Sequence, residues 1–74
     1  MFEKIRNLIA EQLYIDAEKI KEDSGFVDDL GADSLDIVQM LIAMEQEFGV
    51  SFDDDEIKGI KTVGDAVRLI QAKQ

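Results

Sequence analysis

The sequence predicts an all-α fold: a small four-helix bundle, three longer helices plus one short helix, with a long first loop. Two observations predict it, and chain length adds a third. Apolar residues recur at helical spacing in three separate stretches, and only a three-residue segment alternates as a strand would. Helix-start signatures stand where those stretches open, Asp33 with Asp36 and Thr62 with Asp65, and Gly49 stands where one closes. Seventy-four residues make one domain, spanning 1–74, with a thin core and modest stability.

In the first helix Phe2, Ile5, Leu8, Ile9 and Leu13 share one side, with Glu3, Lys4, Arg6, Asn7, Glu11 and Gln12 opposite. That spacing predicts a helix over 2–14 whose apolar stripe is core. Residues 15–33 lack a sustained period. Ile15, Ala17, Ile20, Phe26, Val27 and Leu30 lie scattered among polar residues, which predicts a long loop pinned by apolar anchors, with a turn of helix around 17–20. Loops of this length in compact domains are often functional. Gly31 ends it, and Asp33 follows as an N-cap for a helix over 34–48.

Leu35, Val38, Leu41, Ile42 and Phe48 are expected to form the inner face of that second helix. Ile37, Met40, Ala43 and Met44 widen the apolar arc beyond what one packing contact needs, so the methionines read either as core or as partner contacts. Gly49 is the expected C-cap. Val50-Ser51-Phe52 alternates briefly and reads as an extended connector. Asp53-Asp54-Asp55-Glu56 sets four acids at the start of a short helix that Gly59 closes, where the helix dipole favours negative charge. Thr62 with Asp65 opens the last helix, carried by Val63, Ala66, Val67 and Ile70 to about residue 72, and Arg68 and Lys73 suit its C-terminal end.

Charge narrows the classes of partner. Seventeen acids against eight bases give a net charge of −9, and the twelve acids between Glu22 and Glu56 have no Lys or Arg among them. Such a field repels nucleic acid and anionic membrane and attracts basic protein surfaces. Acidity that merely keeps a small protein soluble explains the total; the one-sided distribution favours a partner. No apolar run approaches the roughly 18–20 residues of a membrane span, and no signal peptide is visible, so a cytoplasmic location is the default expectation.

The available chemistry is sparse. There is no Cys and no His, so no thiol nucleophile, no thiolate metal site and no imidazole base for a serine-hydrolase triad. The acid clusters do not follow the calcium-loop spacing, no glycine-rich phosphate loop is present, and a paired-carboxylate glycosidase needs a cleft that so short a chain cannot readily build. Ser34 stands out. Its hydroxyl falls on the first turn of a helix, with Asp33 before it and Asp36 two residues after, a poor setting for core and a good one for a modification handle. A helix-start serine with no further role fits the same spacing. Composition and periodicity end at a small acidic helical interaction domain.

The residues carry the reading further. Asp28-Asp29-Leu30-Gly31-Ala32-Asp33-Ser34-Leu35-Asp36 closely resembles the modification site of acyl carrier proteins. The resemblance continues through Ile9-Ala10-Glu11-Gln12-Leu13, Ala43-Met44-Glu45-Gln46-Glu47-Phe48-Gly49 and Thr62-Val63-Gly64-Asp65-Ala66-Val67, and so covers essentially the whole chain. It implies a four-helix bundle with 4′-phosphopantetheine joined to Ser34, flanked by Asp33 and Leu35, attached from coenzyme A by a separate holo-synthase. The resemblance further implies that the protein is not an enzyme: the arm would hold growing acyl chains as thioesters for fatty-acid synthesis enzymes with basic docking patches, and its thiol would supply reactivity that a Cys-free chain lacks.

On this reading the docking residues are Asp36, Met40, Ile42 and Glu45, and the acyl chain slips between the second and the short helix among Leu41, Ile42, Met44, Ile57 and Ile60. The protein is expected to be a monomer with no resident metal. A polyketide or other specialised acyl pathway is the neighbouring alternative; an unmodified acidic adaptor for basic proteins is the alternative from another class. Five positions depart from the family pattern. Tyr14 stands where a Gly often ends the first helix, Gln39 and Gln46 where acids are common, Asp53 in place of a frequent Pro, and Lys58 where an acid is often seen.

Overall fold

The computed structural model describes residues Met1–Gln74. Four α-helices follow one another: α1 (Phe2–Leu13), α2 (Ser34–Phe48), α3 (Asp54–Gly59) and α4 (Val63–Lys73), with a single 3₁₀ turn at Ala17–Lys19 inside the long first loop. α1 packs against α2 and α4. Between them lies a core built from Ile5 and Ile9 of α1, Met40, Leu41 and Met44 of α2, and Val63, Ala66, Val67 and Ile70 of α4, closed by Ile20 and Phe26 from the loop. Fully burying one such side chain contributes about 1.5–3 kcal/mol, which is why the loop is anchored by these two residues.

α1 stops one residue short of the sequence expectation, because Tyr14 turns left-handed at φ 58°, ψ 43°. Its N–H still bonds the Ala10 carbonyl, so the departure from Gly changes the residue and keeps the geometry. α2 opens and closes where its signals stand. Asp33 Oδ1 accepts from the Asp36 N–H at 2.9 Å, Asp36 Oδ2 accepts from the Asp33 N–H at 3.3 Å, and Gly49 caps the far end at φ 67°.

The face of α2 differs from the expectation. Leu35 (64 % exposed), Val38 (42 %) and Ile42 (48 %) point outward, whereas Met40, Leu41 and Met44 are buried. The helix is apolar over most of its circumference, so its sequence cannot set the phase; contact with α1 does, by seating the Met40–Met44 side inward. Met40 is therefore core, and its side chain is not available for docking.

The short helix is better fastened than its run of acids suggests. Asp53 caps it and Glu56 closes a reciprocal box, with Glu56 N–H to Asp53 Oδ1 at 2.8 Å and Asp53 N–H to Glu56 Oε1 at 3.0 Å. Glu56 Oε2 also meets Lys73 Nζ of α4 at 3.0 Å. Gly59 is the last helical residue, and Ile60 follows it in extended conformation.

No strand forms, but one isolated antiparallel bridge pairs Gly25 with Thr62. Around it the first loop is laced to the α3–α4 connection: Phe26 N–H to the Lys61 carbonyl at 3.0 Å, Val63 N–H to the Ser24 carbonyl at 3.0 Å and Gly64 N–H to the Glu22 carbonyl at 2.7 Å. These bonds satisfy backbone groups that burial of the loop would otherwise strand.

Candidate modification site

Ser34 sits at the first position of α2, and the loop before it is held on both sides. The Phe26 carbonyl accepts from the Ala32 N–H at 2.8 Å, and the Gly25 carbonyl accepts from both Asp29 and Leu30. Asp29 Oδ2 accepts from the Gly25 N–H at 2.6 Å. Phe26 and Ala32 are buried, so the segment is pinned from below, while Gly31, with φ 69°, makes the turn that lifts the chain into α2. Asp33 and Asp36 spend their carboxylates on the capping box and leave the Ser34 hydroxyl out of it.

The other two serines make a useful contrast. Ser24 is buried, with its Oγ accepting from the Lys21 N–H at 3.0 Å. Ser51 is exposed, but lies in the connector between α2 and α3, ahead of the N-cap Asp53 and not itself on a helix. Only Ser34 joins an exposed hydroxyl to a rigid helix terminus.

Beside Ser34 opens a cleft of about 380 Å³ between the first loop, the N-terminal half of α2, and α3 with the connection after it. Its apolar wall is Phe26, Val27, Ile37, Val38, Ile57 and Ile60; Ser34, Asp28, Lys58 and Lys61 mark its polar edge. Of the five residues expected to hold an acyl chain, Ile57 and Ile60 are here. Leu41 and Met44 are instead buried in the core, and Ile42 is exposed outside the cleft. α2 is turned part-way from its expected phase, with Leu41 and Phe48 of the expected inner face still inward and Leu35, Val38 and Ile42 outward. Ile37 and Val38, one turn nearer Ser34, line the cleft, and Leu41 and Ile42 do not.

The acids expected to dock partners have structural tasks as well. Asp36 is half of the α2 capping box. Glu45 reaches past the end of α2, where its Oε2 accepts from the Phe52 N–H at 2.7 Å and holds the connector. Leu35 and Ile42 remain exposed and, with Val38, form an apolar strip along α2 that starts at the residue after Ser34.

Two carboxyls are held below their ordinary range. Asp65 is lowered foremost by the Lys61 N–H, which it accepts at 3.1 Å, then by Thr62 and Arg68, against the opposing effect of burial. Glu56 is lowered foremost by the Asp53 N–H and then by Lys73. Neither pattern is that of a catalytic acid; both stabilise helix starts. No group of three or more acidic side chains is gathered as metal ligands, and no helix is long and apolar enough to cross a membrane.

Comparison with known proteins agrees with this geometry. Residues 3–70 match the family described as "Phosphopantetheine attachment site". An acyl carrier protein of Clostridium acetobutylicum is 51% identical over 72 residues, covering 97% of this chain and 94% of the relative. Among solved structures, a Mycobacterium tuberculosis protein assigned as an acyl carrier protein superposes with a TM-score of 0.89 at 33% identity, covering 97% of each chain. The acyl carrier protein of Enterococcus faecalis superposes with a TM-score of 0.82 at 30% identity, covering 99% of this chain and 92% of the other. The residues present suit the prosthetic group that this family bears: one free hydroxyl on a fixed helix start, open to solvent and bordering an apolar cleft. The chain belongs to the acyl carrier proteins, which carry acyl groups on a covalently bound 4′-phosphopantetheine.

Proposed function

We propose that Ser34 is the attachment residue and that residues 1–74 act as one monomeric carrier domain in fatty-acid synthesis. The observation that carries this is the pairing of an exposed Ser34 hydroxyl with a capping box that consumes both neighbouring carboxylates. A holo-synthase must reach the Oγ, and nothing on the chain covers it. The residue's task is to bear the arm at a fixed height over the cleft, so that an acyl chain can either lie along Ile37, Val38, Ile57 and Ile60 or swing out to an enzyme. The arm supplies the thiol that the chain lacks.

Docking on this reading combines two features of α2. The acidic field of the Glu22–Glu56 window steers basic patches of partner enzymes, with rates that fall as salt rises. The apolar strip Leu35–Val38–Ile42 gives the contact that follows encounter, in the place first expected of Met40. Asp36 and Glu45 contribute through the field they add rather than as free side chains.

Reconstitution tests the pathway. Holo protein loaded with malonyl should serve as extender for a fatty-acid ketoacyl synthase already carrying an acyl primer, losing CO₂ as the primer is transferred to it, at rates comparable with that enzyme's own carrier. Protein that loads normally but is not elongated, while a polyketide synthase accepts it, would move the chain to the specialised pathway.

A further inference from the structure

We infer that Lys58 and Lys61 form a cationic clasp for the phosphodiester of the prosthetic arm, drawing it toward the α3 side of the cleft; this rests on Ser34 being the attachment residue. The charge distribution singles them out. A phosphodiester on Ser34 places an anion where Asp28, Asp33 and Asp36 already stand. Two other bases near this end of the sequence are committed elsewhere, Arg68 to Asp65 and Lys73 to Glu56. Lys58 and Lys61 have no ion-pair partner, are exposed, and border the same cleft as Ser34, one from α3 and the other from the residue pair after it. Asp28 borders that cleft too, yet neither lysine pairs with it.

A lysine ammonium on a flexible four-carbon stem suits a phosphate as a point charge. At about 4 Å in water one such contact changes the population of the clasped arm about five-fold, and 0.5 M salt screens most of that away. The arm's first bonds would then lie along the α3 wall, which favours entry of the chain beside Ile57 over departure toward the Leu35 strip.

The test uses holo protein whose single added arm has first been verified by intact mass for wild type and each variant, so that failure of attachment shows before the clasp is measured. The readout is the ³¹P resonance of the phosphodiester. At low salt it should differ between wild type and the Lys58→Gln/Lys61→Gln variant, converge at 0.5 M NaCl, and be retained by Lys58→Arg. Cross-peaks from the Lys58 and Lys61 ε-methylenes to the arm protons nearest phosphorus should fade over the same salt range. Both side chains are exposed, and the Lys61 backbone bonds to Phe26 and Asp65 survive substitution, so an unchanged melting temperature excludes a folding artefact. Coincident ³¹P resonances of wild type and the double variant at low salt would overturn the clasp.

Discussion

Replacing Tyr14 with glycine should make the protein more stable. Tyr14 holds φ 58°, ψ 43° at the end of α1, a conformation in which a side chain costs roughly 1–2 kcal/mol and glycine nothing comparable. Glycine gives part of that back, because its unfolded chain is freer by roughly 0.5–1 kcal/mol. The Tyr14 ring contributes no compensating burial, being 94% exposed. The two backbone bonds into the Ala10 carbonyl, from Tyr14 and Ile15, need no side chain. The net gain is about 0.5–1 kcal/mol, or a rise in Tm of about 3–6 °C for a domain of this size.

The opposite sign is expected at Gly31 (φ 69°) and Gly49 (φ 67°). An added Cβ meets no atom within 4 Å at either position, so Gly→Ala there isolates the backbone term, and each variant should lose about 1 kcal/mol. Thermal and urea unfolding of the three variants beside wild type measures all of it. A Tyr14→Gly protein that melts at or below wild type would show that the left-handed residue carries no strain, and the reasoning would fail.

Further outcomes follow from the loop, the caps and the cleft. Gly64→Ala should destabilise by about 1–2 kcal/mol, since its Cβ would sit 3.0 Å from the Glu22 carbonyl that the Gly64 N–H bonds at 2.7 Å; normal stability in chemical unfolding would remove that clamp from the description. Asp65 is held below its ordinary 3.8, so the unfolded chain takes up its proton first, and the stabilisation it brings is present above that value and lost as pH falls through the lowered folded-state value. The Tm difference between wild type and Asp65→Asn should accordingly shrink on acidification, and a difference that stays constant to about pH 3 would contradict the assignment. An octanoyl chain on the arm should raise Tm over the holo form. About four methylenes' worth of burial in a half-open cleft is worth roughly 3 kcal/mol before the cost of widening it. Methyl resonances of Ile37, Val38, Ile57 and Ile60 should shift, with those of Ile42 unmoved; a shift centred on Ile42 would restore the position first expected from the sequence.

What was legible in the sequence was local. Asp33 with Asp36 and Thr62 with Asp65 place a carboxylate three residues from a cap, and both close as reciprocal boxes. The pairing of Asp53 with Glu56 obeys the same rule and was hidden by the surplus of acids around it. The phase of α2 was not legible, because a helix apolar on nearly every side has no preferred face until α1 and the loop choose one. That single ambiguity moved Met40 and Met44 into the core, turned Leu35, Val38 and Ile42 outward, and shifted the cleft by a turn toward Ser34. The Gly25–Thr62 bridge was invisible for another reason: one bridge leaves no alternation, and its partners stand far apart in the chain. Tyr14 was seen as a departure from glycine, but only the backbone shows that it adopts glycine's conformation.

The most direct measurement of the central claim is the intact mass of the apo protein after incubation with coenzyme A, Mg²⁺ and a holo-synthase. Wild type should gain one phosphopantetheine and one titratable thiol in a chain with no cysteine of its own. Ser51→Ala, which removes the exposed serine of the connector, should gain the same, and Ser34→Ala should gain nothing. Modification of the Ser34→Ala protein, or wild type that stays at its apo mass, would contradict the assignment of Ser34 as the residue that carries the arm.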